Sequence, residues 1–407
     1  MRIAFVSYEF AGTATGGGIG TYVRGAAAMM AARGHEVEVF TSAPADPRVL
    51  PVGVVVHAAP VERQRFAHAV ASVFAQRHIA RPFDVIEGPE YGAEAAEVAR
   101  SFPELPLVVK LHTPTFVVDE IQHSYVSRWR KARFVLGGLR RAQVPRPYWH
   151  YDPSTDPECK HAQAASEIAA PSLAILNVVR SRWDLEPKRL AHVPYVFDPP
   201  AELLTLPVST ATGRITYLGR LEARKGVIEL AEAMRLVLGR APATKFRLVG
   251  RSLPHPSTGE DLAVHMRRLL RPFAESVEFV EGRPYSEIPR LLGDTDICVF
   301  PSVWESVGFV CLEAMAAGRG VVASGGSGMA ELIDSGRSGR LVSPRDPRGL
   351  ADAILAMIAD PAGRISMGEK ARAKASTAYT TDVIGPVQEA SYLRAIERGR
   401  PGRVPAG

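Results

Sequence analysis

The feature of this chain that most constrains its fold is a regular alternation of apolar runs with amphipathic stretches of helical length. Strands that alternate with helices predict a parallel sheet covered by helices on both faces. The alternation begins again at 213–220, so the sequence predicts two α/β units, each a Rossmann-like, doubly wound parallel sheet. The apolar runs are RIAFVSY, HEVEVF, GVVVHA, FDVIE and LVVKLH in the first half, and GRITYLGR, KFRLVG, VEFV, DICVFPS and GVVAS in the second.

The segment 192–213 separates the two halves. It contains four prolines between Pro194 and Pro207 and has no hydrophobic periodicity, which is typical of an interdomain linker. A length of 407 residues also favours two domains over one. We therefore expect a first domain at 1–197, a linker at 198–213 and a second domain at 214–379, with a ligand cleft between the domains at the carboxyl ends of the strands.

Composition excludes several classes of protein. No stretch approaches the roughly 20 apolar residues that span a bilayer, and MRIAFVSYEF is typical of a strand rather than a signal segment. We expect a soluble, cytoplasmic protein. The net charge of +6 is modest for this length and does not by itself indicate nucleic acid. The three cysteines, Cys159, Cys298 and Cys311, have no CxxC spacing, which indicates structural thiols rather than a zinc site.

A glycine-rich loop follows the first predicted strand. Gly16, Gly17 and Gly18 stand directly before a helix, where backbone can approach an anion or a sugar and the helix N-terminus adds partial positive charge. The dinucleotide fingerprint is excluded because Thr21 occupies the place of its last glycine, and the loop has no Walker lysine. The alternative interpretation is a plain turn.

Two cations follow the first strand of the second half. In YLGRLEARKG, Arg220 ends the strand and Lys225 stands just before a helix. Cations at the end of a parallel strand suit a diphosphate whose charge grows as it departs. Taken alone, such a pair is also compatible with an ordinary charged surface.

The stretch WESVGFVCLEAMAAG holds two carboxylates eight positions apart. Glu305 lies in a loop, and Glu313 lies inside an apolar helix that begins near Gly308. Burying Glu313 is costly unless it finds donors such as vicinal ribose hydroxyls. The amides near Gly308, Phe309 and Val310 could receive a diphosphate, and Glu305 could reach the sugar beyond it. The alternative is that Glu305 caps the helix and Glu313 pairs with an arginine.

The first half offers further polar residues after its strands. His112 closes LVVKLH, where it could bind a sugar hydroxyl, stabilise transition-state charge or serve only the fold. Glu87, Glu90 and Glu94 follow another strand, and they indicate either a polyhydroxylated or cationic acceptor or merely an acid-rich helix start.

The segment 123–150 departs from the alternation. It carries seven arginines and lysines among aromatic residues. Three interpretations stay open: a lid on the acceptor side, a contact with a membrane surface, or a solvated basic helix.

Together these motifs resemble the family 4 glycosyltransferases, which are retaining enzymes of the GT-B fold that use nucleotide-activated sugars. The resemblance covers nearly the whole chain. The most specific element is the E-x7-E pair, Glu305 and Glu313, inside its flanking PS and EAMAAG. A departure from the family pattern is VGRSLPHP around Arg251, where many members have a glycine-rich turn.

The resemblance implies a role for each residue. Arg220 and Lys225 would bind the donor diphosphate, Glu313 the ribose, and Glu305 with the amides of Gly308, Phe309 and Val310 the donor sugar. On the other domain, His112 would face the transferred sugar, and Gly17 and Gly18 would approach the phosphates or the acceptor. Arg283 would lie by the nucleobase, and a C-terminal helix at 380–397 would complete the first domain.

We therefore expect a retaining, metal-independent hexosyltransferase that moves a sugar from a nucleoside-diphosphate sugar, a co-substrate rather than a bound cofactor, to an acceptor hydroxyl. No nucleic-acid partner is expected, and 123–150 suggests peripheral contact with the inner membrane face. The alternatives are a nucleotide-sugar epimerase of the same fold and a non-catalytic sugar-nucleotide or nucleic-acid binding protein.

Overall fold

The structure is a computed structural model that describes residues 1–11, 17–46, 50–141 and 147–399. Gly16 and residues 400–407 lie outside the described residues. The chain divides into two compact units. The first contains Met1–Thr115, Asp152–Asp198 and the residues from Tyr379 onward, and the second contains Phe116–Tyr151 and Pro199–Ala378.

The first unit is built on a seven-stranded parallel sheet with the strand order β3-β2-β1-β4-β5-β6-β7. Its strands are β1 (Arg2–Val6), β2 (Glu36–Thr41), β3 (Val54–Ala58), β4 (Val85–Pro89), β5 (Leu107–Lys110), β6 (Glu167–Ala170) and β7 (Leu190–His192). Its helices are α1 (Gly18–Ala32), α2 (Arg63–Ala80), α3 (Ala96–Ser101), α6 (Pro157–Ala164), α7 (Leu173–Arg182) and α16 (Thr381–Gly399). Every residue of β1, β4, β5 and β6 is buried, as expected for strands covered on both faces.

The second unit repeats this plan with a six-stranded parallel sheet in the order β10-β9-β8-β11-β12-β13. Its strands are β8 (Arg214–Leu218), β9 (Lys245–Val249), β10 (Val277–Val280), β11 (Ile297–Phe300), β12 (Gly320–Ser324) and β13 (Arg340–Val342). Its helices are α8 (Ala201–Leu204), α9 (Val227–Arg240), α10 (Leu262–Leu269), α11 (Ile288–Gly293), α12 (Phe309–Ala316), α13 (Met329–Leu332), α14 (Pro347–Ala359) and α15 (Pro361–Thr377). The prediction of two doubly wound parallel sheets is confirmed.

The segment 116–151, which the sequence analysis places inside the first domain, is grouped with the second unit. It carries two helices, α4 (Thr115–Ser124) and α5 (Arg128–Leu139). One contact that holds it there is made by Tyr125, whose hydroxyl donates to the Glu229 carboxylate at 2.8 Å.

The stretch expected to be a linker is held in place by arginines. Arg364 and Arg372 donate to the carbonyls of Thr210 and Leu206, each at 2.6 Å, and buried Arg319 donates to the carbonyl of Pro207. Because these guanidinium groups satisfy carbonyls that lack a strand or helix partner, residues 206–210 are fixed to the second unit rather than free.

Helix α16 packs on the first unit through buried carboxylates. Glu87, at the centre of β4, accepts hydrogen bonds from Tyr392 at 2.8 Å and Gln388 at 2.6 Å. Glu167, in β6, accepts from Ser391 at 3.0 Å and pairs with Arg394. The C-terminal helix is therefore part of the first unit's core.

Candidate active site

The residues predicted to bind the diphosphate and the donor sugar follow two neighbouring strands. Strands β8 and β11 pair directly, Ile215 with Ile297, and the order of the second sheet reverses between them. Ligands of open α/β sheets bind outside the carboxyl ends of the strands at such a reversal. Arg220 follows β8 and Glu305 follows β11, so the sheet brings both predicted residues to the position where a ligand is expected.

Lys225 and Glu305 form a direct ion pair at this place. The Lys225 Nζ contacts Glu305 Oε2, and both side chains are mostly buried, at 16% and 12% exposure. The contact depends on Gly226, which has φ +69° and lies so close to Pro301 that an added Cβ would stand 1.9 Å from the Pro301 carbonyl oxygen. Only glycine allows the loop of Lys225 to approach the loop of Glu305 this closely.

Arg224 is a member of the site that the sequence analysis missed. Its guanidinium donates to the Trp304 carbonyl at 3.0 Å and to Glu222 at 2.7 Å, and it lies 3.7 Å from Glu305 Oε2. The side chain is buried. Its position directly before Lys225 in EARKG was the available sequence signal for a role in the site. The side chains of adjacent residues usually point in different directions, so this signal was weak. A short 3-10 helix at Ala223–Lys225 is what brings both cations to Glu305.

Burial and the charges of neighbouring residues change the pKa of Lys225. Burial, followed by the neighbouring charge of Arg224 and, more weakly, that of Arg220, lowers the pKa of Lys225 well below its usual range, while Glu222 acts in the opposite direction. A carboxylate in contact with the ammonium favours its charged form. Glu305 is therefore placed to keep Lys225 protonated in a setting that otherwise disfavours the charge.

Arg220 is the exposed cation of the group. Its side chain is 58% exposed and, among the residues that the structure describes, pairs only with Glu222, at 3.2 Å. The Tyr217 hydroxyl donates to the Arg220 carbonyl at 2.7 Å, which fixes the backbone while the guanidinium stays accessible. An arginine held in this way can meet an incoming anion at little conformational cost.

Glu313 is buried in α12, and no partner for it is found among the described residues. The residue is 5% exposed, and no hydrogen bond or ion pair reaches its carboxylate from the described part of the chain. Burial raises its pKa to about 7. The alternative of an arginine partner for Glu313 is therefore not seen among the described residues. A buried acid with unused lone pairs is what a pair of hydroxyl donors would satisfy.

The start of α12 lies beside Glu305 but is not capped by it. Gly308 is the N-cap residue, with φ +92°, and no side chain caps the helix. The Cβ that Gly308 lacks would stand 3.2 Å from Glu305 Cγ. Phe309 and Val310 form the first turn of the helix. Glu305 pairs with Lys225 instead of capping the helix.

Arg283 and Arg251 are not brought to this group. Arg283 lines a separate pocket of about 320 Å³ with Arg247, Glu278, Asp294 and neighbouring residues. Arg251 is exposed, and its described contact is a hydrogen bond from the Leu221 amide to its carbonyl at 2.8 Å. The nucleobase role of Arg283 stays a prediction.

In the first unit, His112 is held from two sides. Its amide donates to both oxygens of Glu90 at 2.8 Å, and its Nδ1 contacts the Tyr195 hydroxyl. The Tyr195 proton goes to the Leu111 carbonyl, 3.0 Å away, because that oxygen can only accept. We therefore assign the His112 proton to Nδ1, which leaves Nε2 as an acceptor. Burial and the charge of Lys110 lower the pKa of His112 to about 3, so the ring is neutral.

The three glutamates in and after β4 face different partners. Glu87 belongs to the network with α16, Glu90 accepts from the His112 amide, and Glu94 accepts from the Tyr8 amide at 2.7 Å. All three are buried and none stands at a helix start exposed to solvent. Their described partners are protein groups, so Glu87 and Glu90 serve the framework behind His112.

The glycine loop meets the first helix beside a carboxylate. Gly17 is the N-cap of α1, and a Cβ there would stand 2.4 Å from Glu9 Oε2. Glu9 in turn pairs with Arg63 at 2.7 Å. Gly18 faces open space, with no atom within 4 Å of an added Cβ. The nearby carboxylate makes this position more suitable for a hydroxyl-bearing group than for a phosphate.

The structure also bears on the cysteines, on metal ligands and on membrane-spanning helices. All three cysteines are free and buried. Within residues 1–11, 17–46, 50–141 and 147–399, no three His, Cys, Asp or Glu side chains gather as metal ligands would. The helices in those same ranges are all too short or too polar to cross a bilayer.

Both halves of the chain match known sequence families. Residues 17–195 match the glycosyl transferase 4-like domain, and residues 212–360 match the glycosyl transferases group 1. Together the two matches cover the first sheet from α1 onward and the second sheet, including every predicted site residue.

Individual relatives match over nearly the whole length. The chain is 27% identical over 435 aligned positions to glycogen synthase of Mycobacterium tuberculosis, covering 98% of this chain and 96% of that protein. It is 28% identical to D-inositol 3-phosphate glycosyltransferase of Corynebacterium urealyticum, covering 91% and 90%. Among solved structures, sucrose-phosphate synthase from Thermosynechococcus elongatus matches with a TM-score of 0.72 and 22% identity, over 98% of this chain and 100% of that one.

Proposed function

We propose that this chain, which belongs to the family 4 glycosyltransferases of the GT-B fold, transfers a sugar from a nucleoside-diphosphate donor to an acceptor hydroxyl and retains the anomeric configuration. Glycosyl transfer itself follows from the family. The donor chemistry, the retained configuration and the independence from a metal ion are the proposal.

The observation that carries the proposal is the cationic group around the Lys225–Glu305 pair at the ends of β8 and β11. When the bond between the sugar and the diphosphate breaks, negative charge grows on the departing phosphate. Arg220 is exposed and available to meet that charge, and Lys225 contacts Glu305, which favours its protonated form. Fixed cations in a partly buried site stabilise such charge with little reorganisation.

The nucleoside part of the donor is assigned to Glu313. Its buried, unpartnered carboxylate accepts hydrogen bonds from the two vicinal hydroxyls of a ribose, which removes the cost of burying it. The first-turn amides at Gly308, Phe309 and Val310 then bind the diphosphate, because helix N-termini attract anions.

His112 is assigned to a sugar hydroxyl. A neutral imidazole with Nε2 as acceptor receives a hydrogen bond from such a group and adds no positive charge. Gly17 and Gly18 are assigned to the acceptor rather than to the phosphates, since Glu9 lies beside them.

The resemblance to retaining enzymes is the ground for proposing retention, and the state of Glu305 bears on how retention would be achieved. A carboxylate that acts as a covalent nucleophile must be free to attack the sugar, whereas Glu305 is engaged with Lys225 and lies 3.7 Å from Arg224. We therefore favour a same-face reaction in which the sugar–oxygen bond of the donor breaks, the acceptor oxygen bonds to the same carbon, and the leaving phosphate takes the acceptor's proton. The diphosphate then departs with one proton more.

The test is a panel of UDP-, GDP-, ADP- and TDP-sugars, with and without pooled acceptors, in the presence of EDTA. Acceptor-dependent release of one nucleoside diphosphate, with a product whose anomeric proton coupling matches that of the donor, is the expected result. Inverted products would overturn retention. Isomerised nucleotide sugar without release would show an epimerase instead.

A further inference from the structure

A second pocket lies in the second unit, at the junction of α4 and α5. Its volume is about 600 Å³, nearly twice that of the pocket beside Arg283. It is lined by Gln122, His123, Val126, Arg130, Arg133, Phe134, Tyr148 and Pro256. None of these residues belongs to the cluster around Lys225 and Glu305 described above.

Aromatic rings build one wall of this pocket. Tyr148 packs edge-on against Phe134 and against His123, each with ring centroids 5.1 Å apart. Trp149 supports Tyr148 from behind at 4.8 Å. Because the rings brace one another, the wall is a preformed surface against which a sugar or polyol ring can pack.

The other wall carries positive charge without matching acids. Arg130 and Arg133 have no ion pair within the described part of the chain, and 128–141 contains six arginines and lysines and no acid. In the pocket beside Arg283, by contrast, Arg247 is paired with Glu278 and Asp294. Two unpaired guanidinium groups beside an apolar wall are suited to an anionic group on a ring-bearing ligand.

The pocket is fastened to the loop that carries the site's cations. Tyr125, next to Val126 in the pocket lining, donates to Glu229 at 2.8 Å and reaches the Ala223 carbonyl at 3.3 Å. Ala223 begins the 3-10 helix that ends at Lys225. The Arg345 guanidinium lies over the Tyr125 ring, 4.7 Å from its centroid. A ligand in this pocket therefore lies next to the segment that contacts the donor loop.

We propose that this pocket binds a phosphate group carried by the acceptor, so that the enzyme glycosylates a phosphorylated polyol or sugar. That the phosphate belongs to an acceptor rests on the proposed function. The phosphate site itself rests only on the pocket. A phosphate carries close to two negative charges, which match Arg130 and Arg133, while the attached ring packs on Tyr148 and Phe134.

The same phosphate chemistry is offered by a soluble metabolite and by a lipid headgroup. Helix α5 also exposes Trp129, at 82%, and Leu136, at 55%. Exposed apolar side chains beside arginines are typical of surfaces that rest on anionic lipid. The experiment therefore tests a soluble phosphate ligand and an anionic lipid surface separately.

The experiment compares wild type with Arg130→Gln/Arg133→Gln. The control, Arg140→Gln/Arg141→Gln, removes the same charge from the end of the same helix, and neither residue lines the pocket. Binding of inorganic phosphate and of glycerol 3-phosphate is measured by calorimetry on the full chain. Binding to vesicles of phosphatidylglycerol in phosphatidylcholine is measured by cosedimentation. Phosphate bound by the donor cations contributes equally in all three proteins.

We expect the pocket variant to bind phosphate ligands about tenfold more weakly or worse, while the control binds as wild type does. A loss confined to vesicle binding, again only in the pocket variant, assigns the phosphate to a lipid. Equal losses in pocket variant and control, or unchanged binding in both, would overturn the proposal. These outcomes do not depend on turnover, so a chain that releases nucleoside diphosphate yet shows no pocket-dependent binding refutes this inference alone.

Discussion

Lys225 and Glu305 are 80 positions apart in sequence and form a direct ion pair at the switch point of the second sheet. The pair joins the two motifs on which the donor site depends, one after β8 and the other after β11. Lys225 is buried beside Arg224 and Arg220, which disfavours its charge, so Glu305 has an electrostatic role besides any contact with the sugar.

Replacing Glu305 by glutamine should lower kcat/KM by at least about 10²-fold at alkaline pH, with partial recovery as the pH is lowered. The sign follows from Lys225, whose pKa burial and Arg224 already lower. Removing a carboxylate in contact with the ammonium should disfavour the charged form further, so the ammonium is lost on the alkaline side and regained on the acidic side. Steady-state rates across the pH range measure this effect. In Glu305→Gln/Lys225→Arg the cation cannot titrate, and the recovery should disappear. Parallel profiles for wild type and Glu305→Gln would refute this electrostatic role.

Gly226→Ala should separate the two loops. The added methyl would stand 1.9 Å from the Pro301 carbonyl oxygen at a φ of +69°, so the chain must shift away from Pro301. Gly259→Ala is the matched control, because Gly259 has a similar φ of +74° and no atom within 4 Å of an added Cβ. The control should lose about 1 to 2 kcal/mol in free energy of unfolding, from backbone strain alone. Gly226→Ala should lose more than this and also lose donor affinity, as urea unfolding and calorimetry would reveal. Equal effects in the two variants would contradict the close approach.

The donor should bind to the protein in which Glu313 is ionised. With a pKa of about 7 the carboxylate is about one tenth charged at pH 6 and nine tenths charged at pH 8, so affinity should rise about tenfold between them. Calorimetry in buffers of different ionisation enthalpy should show proton release near neutral pH. The intact nucleotide sugar is the ligand, because the terminal phosphate of a nucleoside diphosphate titrates in the same range. Glu313→Gln should abolish both effects, and their persistence in that variant would assign them to another group.

The role of His112 as a neutral acceptor can be tested by substitution. His112→Ala should lower kcat/KM by about tenfold to a hundredfold, as expected for a lost hydrogen bond in a buried site. His112→Gln, which can present an amide oxygen near the position of Nε2, should retain more activity. Tyr195→Phe removes the hydroxyl that fixes the tautomer and should give an intermediate loss. Since the pKa of His112 is about 3, no ionisation of this ring should shape the profile between about pH 5 and pH 9. Equal activity of the Ala and Gln variants would contradict the acceptor role.

Much of this arrangement could be predicted from the sequence because it depends on local patterns. The apolar runs at 213–220 and 296–302 define β8 and β11, and the residues that follow parallel strands gather at one edge of a sheet. Arg220 and Glu305 were found in this way. The second carboxylate, Glu313, was identified because a charge in an apolar helix needs an explanation.

The parts that escaped prediction depend on contacts between distant residues. Nothing in the order of residues shows that Arg224 is buried beside Trp304, since that follows from the 3-10 turn and from the close approach at Gly226. The grouping of 116–151 with the second unit rests on single side chains such as Tyr125. The role of Glu87 in β4 was ambiguous because its partners, Gln388 and Tyr392, come from the opposite end of the chain.

The most direct test of the central claim is the rate of nucleoside diphosphate release by wild type and by Lys225→Ala, measured with saturating donor and acceptor on proteins of equal folded content. The charge that Lys225 supplies to the leaving diphosphate predicts a fall of at least about 10²-fold in kcat for the variant. A near-wild-type rate in folded Lys225→Ala would contradict the assignment of this group to the departing phosphate.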